Sequence, residues 1–184
     1  VDLDNDDFYT STVGGISEAT PRVWKLGDIL NATPKISSWA PLNLYHKNYK
    51  DTTYQSFLDS TTYISRGMAY AGGNDGMLHA FKLGTLDVSG PLVTGNTKAA
   101  LCADSNSDRQ CTQAEIDAIT DIGKEMWAFI PKNVLPYLKY LTKNDYCHIY
   151  SVDLTPYIFD ASINKPAGCT ETNYWDCDKT IESW

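Results

Sequence analysis

The chain has no apolar run approaching the roughly 20 residues of a membrane-spanning helix. It has no excess of positive charge either: 15 Lys and Arg stand against 23 Asp and Glu, a formal net charge of -8. No basic face is available to displace counterions from phosphate, so a nucleic-acid partner is disfavoured and cations are the better match. The cysteines form no Cys-x-x-Cys zinc or redox pair and no Cys-x-x-Cys-His haem site. There is no Gly-x-Ser-x-Gly elbow, no phosphate-binding P-loop and no His-Glu-x-x-His. The glycine-rich Gly72-Gly-Asn-Asp-Gly76 leads into a strand pattern rather than a helix, which disfavours phosphate binding. No charged-then-apolar leader opens the chain, so a secretory signal is expected to be absent or already removed.

Aromatic residues are plentiful at 12%, with 12 Tyr and 5 Trp, which suits β structure. At 184 residues the chain is long enough for one domain with a sizeable core. Its organising stretch is Met68-Ala-Tyr-Ala-Gly-Gly-Asn-Asp-Gly-Met-Leu-His-Ala-Phe81. Two apolar segments flank Asn74-Asp75-Gly76, and those three residues tolerate the positive φ angles of a hairpin turn. Further strands are expected near 33–37 and 124–130, and again at 154–160. Gly27-Asp28-Ile-Leu-Asn-Ala-Thr33-Pro34-Lys-Ile36 and Val152-Asp153-Leu-Thr155-Pro156-Tyr-Ile158 share an Asp, an apolar step and Thr-Pro-x-Ile, a weak internal repeat. The expected fold is mainly β: a partial β-propeller of about one blade plus the start of the next. It would form a single domain with loop and short-helix insertions near 38–67 and 85–122.

The first insertion is expected as a loop on the rim with a short helix over 51–59. A helix is expected from Thr112 to about Asp121, a helical turn over Asn133–Leu141, and a polar hairpin-like tail over 164–184. One blade cannot bury its own apolar faces. The chain is therefore expected to be a piece of a longer protein or to associate with something that supplies the missing sheets.

Two cysteine pairs lie close in sequence, Cys102 with Cys111 and Cys169 with Cys177, in polar, turn-rich segments. Short-loop disulfides are the simplest reading and imply an oxidising compartment. Cys147 is left over and is expected to be a buried thiol. His79 is expected to be a structural hydrogen-bond partner, and Asp75 and Asp153 to be turn or strand-end anchors.

The strongest ligand pattern is Asp104-Ser-Asn106-Ser-Asp108-Arg-Gln110-Cys-Thr112-Gln-Ala-Glu115. It matches a twelve-residue EF-hand loop. Asp104, Asn106 and Asp108 supply side-chain oxygens at positions one, three and five, and Gln110 supplies its carbonyl at seven. Thr112 stands at nine and Glu115 at twelve, where it can be bidentate. Hard oxygens at this spacing suit Ca²⁺ better than Mg²⁺. Arg109 replaces the usual turn Gly and would need an uncommon φ. The other reading is an exposed acidic loop in which Thr112 and Glu115 form a capping box. The alternating Asp2, Asp4 and Asp6 also resemble the start of a calcium loop, but Asp7 and Val13 break the pattern and favour a solvated terminus.

The order of strings Trp24-Lys-Leu-Gly-Asp-Ile-Leu-Asn-Ala-Thr-Pro34, Arg66 to Phe81, Trp127-Ala-Phe-Ile-Pro131 and His148-Ile-Tyr-Ser-Val-Asp153 resembles the PilC/PilY family of type IV pilus assembly and tip proteins. The resemblance is to their C-terminal β-propeller domain and covers roughly residues 22 to 160. It implies a non-enzymatic bacterial protein exported through the periplasm to the cell surface or pilus. Such a protein supports pilus biogenesis, counteracts retraction, and contributes to surface attachment and twitching motility. Its partners would be type IV pilins or minor pilins, the remaining blades or another chain, and a host or abiotic surface. Family members carry a regulatory calcium site, but its loop aligns with no position here and is not carried over. The family's domain also continues past the point matching Trp184. Two alternatives are a fragment of a quinoprotein-type propeller dehydrogenase and a structural filament or partner-completed subunit.

Overall fold

The computed structural model describes residues 26–89, 99–141, 143 and 145–184. The Asp2/Asp4/Asp6 run and Trp24 lie outside them. The described chain is mainly β, with a four-stranded antiparallel sheet, a separate two-stranded sheet and a few short helices.

The larger sheet contains β1 (Lys35–Ser37), β2 (Met68–Gly72), β3 (Leu78–Lys82) and β6 (Glu125–Phe129), side by side in that order. All four fall within the stretches that the sequence marks as strands. The hairpin between β2 and β3 closes where Asn74-Asp75-Gly76 predicts. The Gly73 N–H donates to the Met77 carbonyl at 2.9 Å, and Gly76 takes the positive φ of 91° that the turn requires. At the open end of the hairpin, Leu83 N–H donates to the Gly67 carbonyl at 2.9 Å. A Cβ on Gly67 would lie 1.6 Å from the Gly84 carbonyl oxygen, so only glycine permits this approach. A register shift at Ala80/Phe81 interrupts the β3–β6 pairing.

The smaller sheet pairs β4 (Thr85–Asp87) with β5 (Ala100–Cys102). It lies within the second insertion, whose first half reads as loop because of its Gly, Thr and Asn content. Leu86 facing Leu101 across the ladder and the Cys102–Cys111 disulfide hold the pair together. After it comes α4 (Gln113–Ala118), shorter than the expected helix by residues at its C-terminal end.

The first insertion departs most from expectation. It is not a rim loop around one helix but three helices: α1 (Tyr45–Asn48), α2 (Thr52–Leu58) and α3 (Thr61–Ile64). Asp51 caps α2 by accepting from the N–H groups of Thr53 and Tyr54, and Ser60 caps α3 by accepting from Tyr63 N–H. These helices contain the apolar core of the described chain. Tyr54, Leu58 and Tyr63 are buried, with Tyr45, Phe57 and Trp184 packed around them. Thr and Tyr are indifferent helix formers. Burial of aromatic rings, with Tyr54 and Trp184 centroids 4.6 Å apart, stabilises what propensity leaves marginal.

Two further expectations need correction. Residues 154–160 are not a strand: among the described residues, no strand pairs with them. The 164–184 tail, expected as hairpin-like, folds back on itself without strands. It holds two 3-10 turns, Tyr174–Asp176 and Ile181–Ser183, and closes through the Asn164 N–H bonded to the Ser183 carbonyl and the Cys169–Cys177 disulfide. Cys147 is exposed rather than buried. The helical turn over 133–141 is present as a 3-10 helix, Leu135–Tyr140, and Val134 and Leu138 pack over Gly76.

Candidate functional site

The loop from Asp104 to Glu115 is built by local hydrogen bonds. Asp104 is buried and accepts from Ser107 N–H at 2.7 Å and from Arg109 N–H at 2.9 Å, one bond on each carboxylate oxygen. Asn106 Oδ1 accepts from Asp108 N–H at 3.1 Å, and Asp108 Oδ1 accepts from Gln110 N–H at 2.8 Å. The loop therefore curls around its own acidic side chains. Ser107 and Arg109 take positive φ angles of 62° and 66° to allow this. The expected strain at Arg109 is real, and the side chain explains why Gly is not required there. Its guanidinium donates to Asp59 Oδ1 at 3.2 Å and lies 5.5 Å from the Trp39 ring centroid, docking the loop on the helical core.

Glu115 closes the loop from the far side. Its Oε1 accepts from the backbone N–H and hydroxyl of Ser105, and its Oε2 from the N–H and hydroxyl of Thr112. Thr112 Oγ1 in turn accepts from Glu115 N–H, completing the capping box at the start of α4. Four donors occupy the carboxylate's lone-pair sites. The backbone and side-chain bonds from Ser105, then those from Thr112, hold this carboxyl down at about 2. In this arrangement Asp104, Asn106 and Asp108 line one loop, and the Glu115 carboxylate is taken up by Ser105 of that loop and by Thr112 of the cap. Among the described residues, no group of three or more His, Cys, Asp or Glu is gathered closely enough to hold a metal ion. The oxygen chemistry suits calcium. Glu115 can join such a set only by giving up donors from Ser105 and Thr112.

The sequence gives no hint of a second polar centre. Asp160 lies buried beneath the helices and collects four groups from distant parts of the chain. Tyr54 Oη and Tyr63 Oη each donate to its Oδ2 at 2.7 Å, Arg66 Nη1 donates to Oδ1 at 2.7 Å, and its own N–H donates to Asn43 Oδ1 at 2.7 Å. Burial alone would push the Asp160 carboxyl up, but the bonds from Tyr54, Arg66 and Tyr63 outweigh it and the net shift is downward. Burial and then the bond to Asp160 push the Tyr54 hydroxyl up to about 12 and shift Tyr63 upward as well. Arg66 also lies 3.5 Å from the Tyr63 ring centroid. The partners are separated by 94 to 117 residues, which no local pattern can reveal.

His79 is structural, as expected. It is 2% exposed, with Nδ1 2.6 Å from Glu125 Oε1 and Nε2 2.9 Å from Asp75 Oδ2. Asp75 also accepts from Gly27 N–H and Met77 N–H, so it anchors the hairpin turn and the chain entering the sheet. Asp153 anchors the second half of the internal repeat by accepting from the backbone and side-chain amides of Asn31.

Both disulfides expected from the spacing are present and fit a secreted or extracellular protein. Among the described residues, no helix is long and apolar enough to cross a membrane. No known protein family, curated protein or solved structure matches the chain.

Proposed function

We propose that this chain is a cell-surface type IV pilus biogenesis and adhesion protein of the PilC/PilY kind. It works without enzymatic chemistry, as about one propeller blade plus the start of the next. It acts at the pilus tip on pilins or minor pilins, supports assembly against retraction, and promotes attachment and twitching. The observation that carries the reading is Asn74-Asp75-Gly76-Met77-Leu78-His79-Ala80-Phe81, the string most specific to the resemblance. It forms the central hairpin of a sheet whose strands lie in chain order, β1-β2-β3-β6, the meander order of a blade. The test is deletion of the chain's gene in its own piliated host. Loss of surface pili and twitching, with pili returning when retraction is blocked, is the expected result. Normal piliation in the deletion strain overturns the reading.

The same proposal includes a Ca²⁺ held by Asp104, Asn106, Asp108, Gln110, Thr112 and Glu115. Its support is the oxygen spacing and the left-handed Arg109, which bends the loop as the turn Gly of a calcium loop does. Millimolar calcium is expected to raise the melting temperature and to compete with terbium luminescence. No change in either measurement removes calcium from the proposal.

A further inference from the structure

The Thr-Pro-x-Ile parts of the internal repeat share one offset of 122 residues, which sets Asp153 against Asn31 rather than Asp28. Asn31 N–H donates to Asp153 Oδ1 at 3.1 Å, and Thr33 N–H donates to Thr155 Oγ1 at 3.1 Å. Both bonds join residues 122 apart. The same offset carries Pro34 onto Pro156 and Ile36 onto Ile158. Bonds between equivalent positions are what stacking of consecutive repeat units produces.

The two halves differ in what lies beside them. In the first, Lys35–Ser37 is β1 and pairs antiparallel with β2, Ile36 opposite Ala69 and Ser37 opposite Met68. The equivalents in the second are Tyr157, Ile158 and Phe159. Among the described residues, no hydrogen bond reaches the backbone of these three. The chain nevertheless runs from Thr155 to Pro166 without a turn or bend, and a residue before proline, as Thr155 is, favours the extended region. It is pinned on one side by Asp153 on Asn31 and on the other by Asp160 in its hub. Leu154, Tyr157 and Phe159 are 86%, 84% and 57% exposed. A segment anchored at both ends, with unpaired backbone and exposed apolar side chains, is a site for strand addition.

We propose that Tyr157–Phe159 is a docking strand for an antiparallel partner strand of small and apolar residues patterned like Met68–Gly72. That strand would stand to Ile158 as Ala69 stands to Ile36. The inference rests on the partial-propeller part of the preceding reading and is independent of the pilus assignment. Piliation assays cannot fail it, and its own test says nothing about pili.

The test uses the full chain and a synthetic peptide with the sequence of residues 66–83. The peptide is cyclised through its ends, which already meet in the folded hairpin through the Leu83–Gly67 bond. Cyclisation preorganises an otherwise marginal hairpin. Amide hydrogen exchange is followed as peptide is added to ~1 mM, the weak end of specific binding. Exchange at residues 157–159 is expected to slow tenfold or more. The slowing should vanish in Ile158→Pro, which interrupts a ladder, while the melting temperature of that variant stays unchanged. Unchanged exchange at 157–159 overturns the proposal. So does slowing confined to Glu125–Phe129, which would make β6 the docking edge. Protection of 157–159 that grows with protein concentration and needs no peptide also overturns it, in favour of a second copy.

Discussion

The helical insertion and the four-stranded sheet are built to opposite rules. The helices close on themselves. Tyr54 and Tyr63 are fully buried, their hydroxyls meet Asp160, and Trp184 from the far end of the chain packs over them. The sheet does not close. Every residue of β6 is exposed, including Met126, Trp127 and Phe129. Ile36 on β1, at the other edge, is 59% exposed. A four-stranded sheet ordinarily buries at least one face. The contrast locates the chain's independent stability in the insertion and its unmet packing in the sheet. It also departs from the expectation drawn from sequence, in which the hairpin organises the chain and the first insertion is a loop on the rim with one short helix.

The comparison breaks most sharply at Asp160. Asp160→Ala leaves the Arg66 guanidinium and two tyrosine hydroxyls without their acceptor, and is expected to cost about 3–5 kcal/mol in urea unfolding. A loss under about 1 kcal/mol, as for an ordinary surface position, would place the stabilising centre elsewhere.

Acid should act on the helical side through Asp160 and Asp51, and on the second insertion through Glu115. Bonds to Asp160, Asp51 and Glu115 hold each carboxyl below its ordinary range despite opposing burial, Glu115 from 4.5 to about 2 and Asp51 from 3.8 to about 2. Each therefore titrates lower in the folded chain than in the unfolded one, and the unfolded chain takes up protons first as pH falls. The stability they contribute is complete above about pH 4.5 and is lost progressively toward about pH 2. Melting temperatures across this window should fall, with the near-ultraviolet signal of the tyrosine and tryptophan cluster lost together with the fold. A flat profile would contradict the role given to these bonds.

The smallest effect is expected in the sheet. Trp127→Ser and Phe129→Ser remove large side chains that are already 45% and 56% exposed, and each should change stability by no more than about 0.5 kcal/mol. A loss above 2 kcal/mol at either position would show that the sheet face is packed after all.

The sequence reveals the parts of this fold that depend on near neighbours. Asn74-Asp75-Gly76 fixes a turn through φ preferences, Thr112 with Glu115 marks a helix start, and cysteines nine and eight residues apart find each other. The β1, β2, β3 and β6 strands follow from short apolar segments between turn signals. Of the three helices around Tyr54, α2 is marked in the sequence as the short helix over 51–59, whereas α1 and α3 are hidden because Thr and Tyr carry little helix propensity, and rings brought from as far as Trp184 decide the outcome. The Asp160 centre is hidden for the same reason. Residues 154–160 read as a strand because their residue types are those of one, yet a strand needs a partner, and pattern alone cannot supply it. In the loop, the ligand spacing is plain in the sequence. The capture of Glu115 by Ser105 is not, because Ser105 lies outside every recognised capping pattern.

Native-state hydrogen exchange on the unliganded full chain reads both sides of the comparison at once. Amides of α2 and α3, around Tyr54 and Tyr63, are expected to be among the slowest in the chain, and those of 154–159 among the fastest, with exchange there close to that of an unstructured segment. Protection at 154–159 equal to that in the β2–β3 hairpin, or exchange at Tyr54 and Tyr63 as fast as at the chain's exposed loops, would contradict the division between a closed helical core and an open sheet.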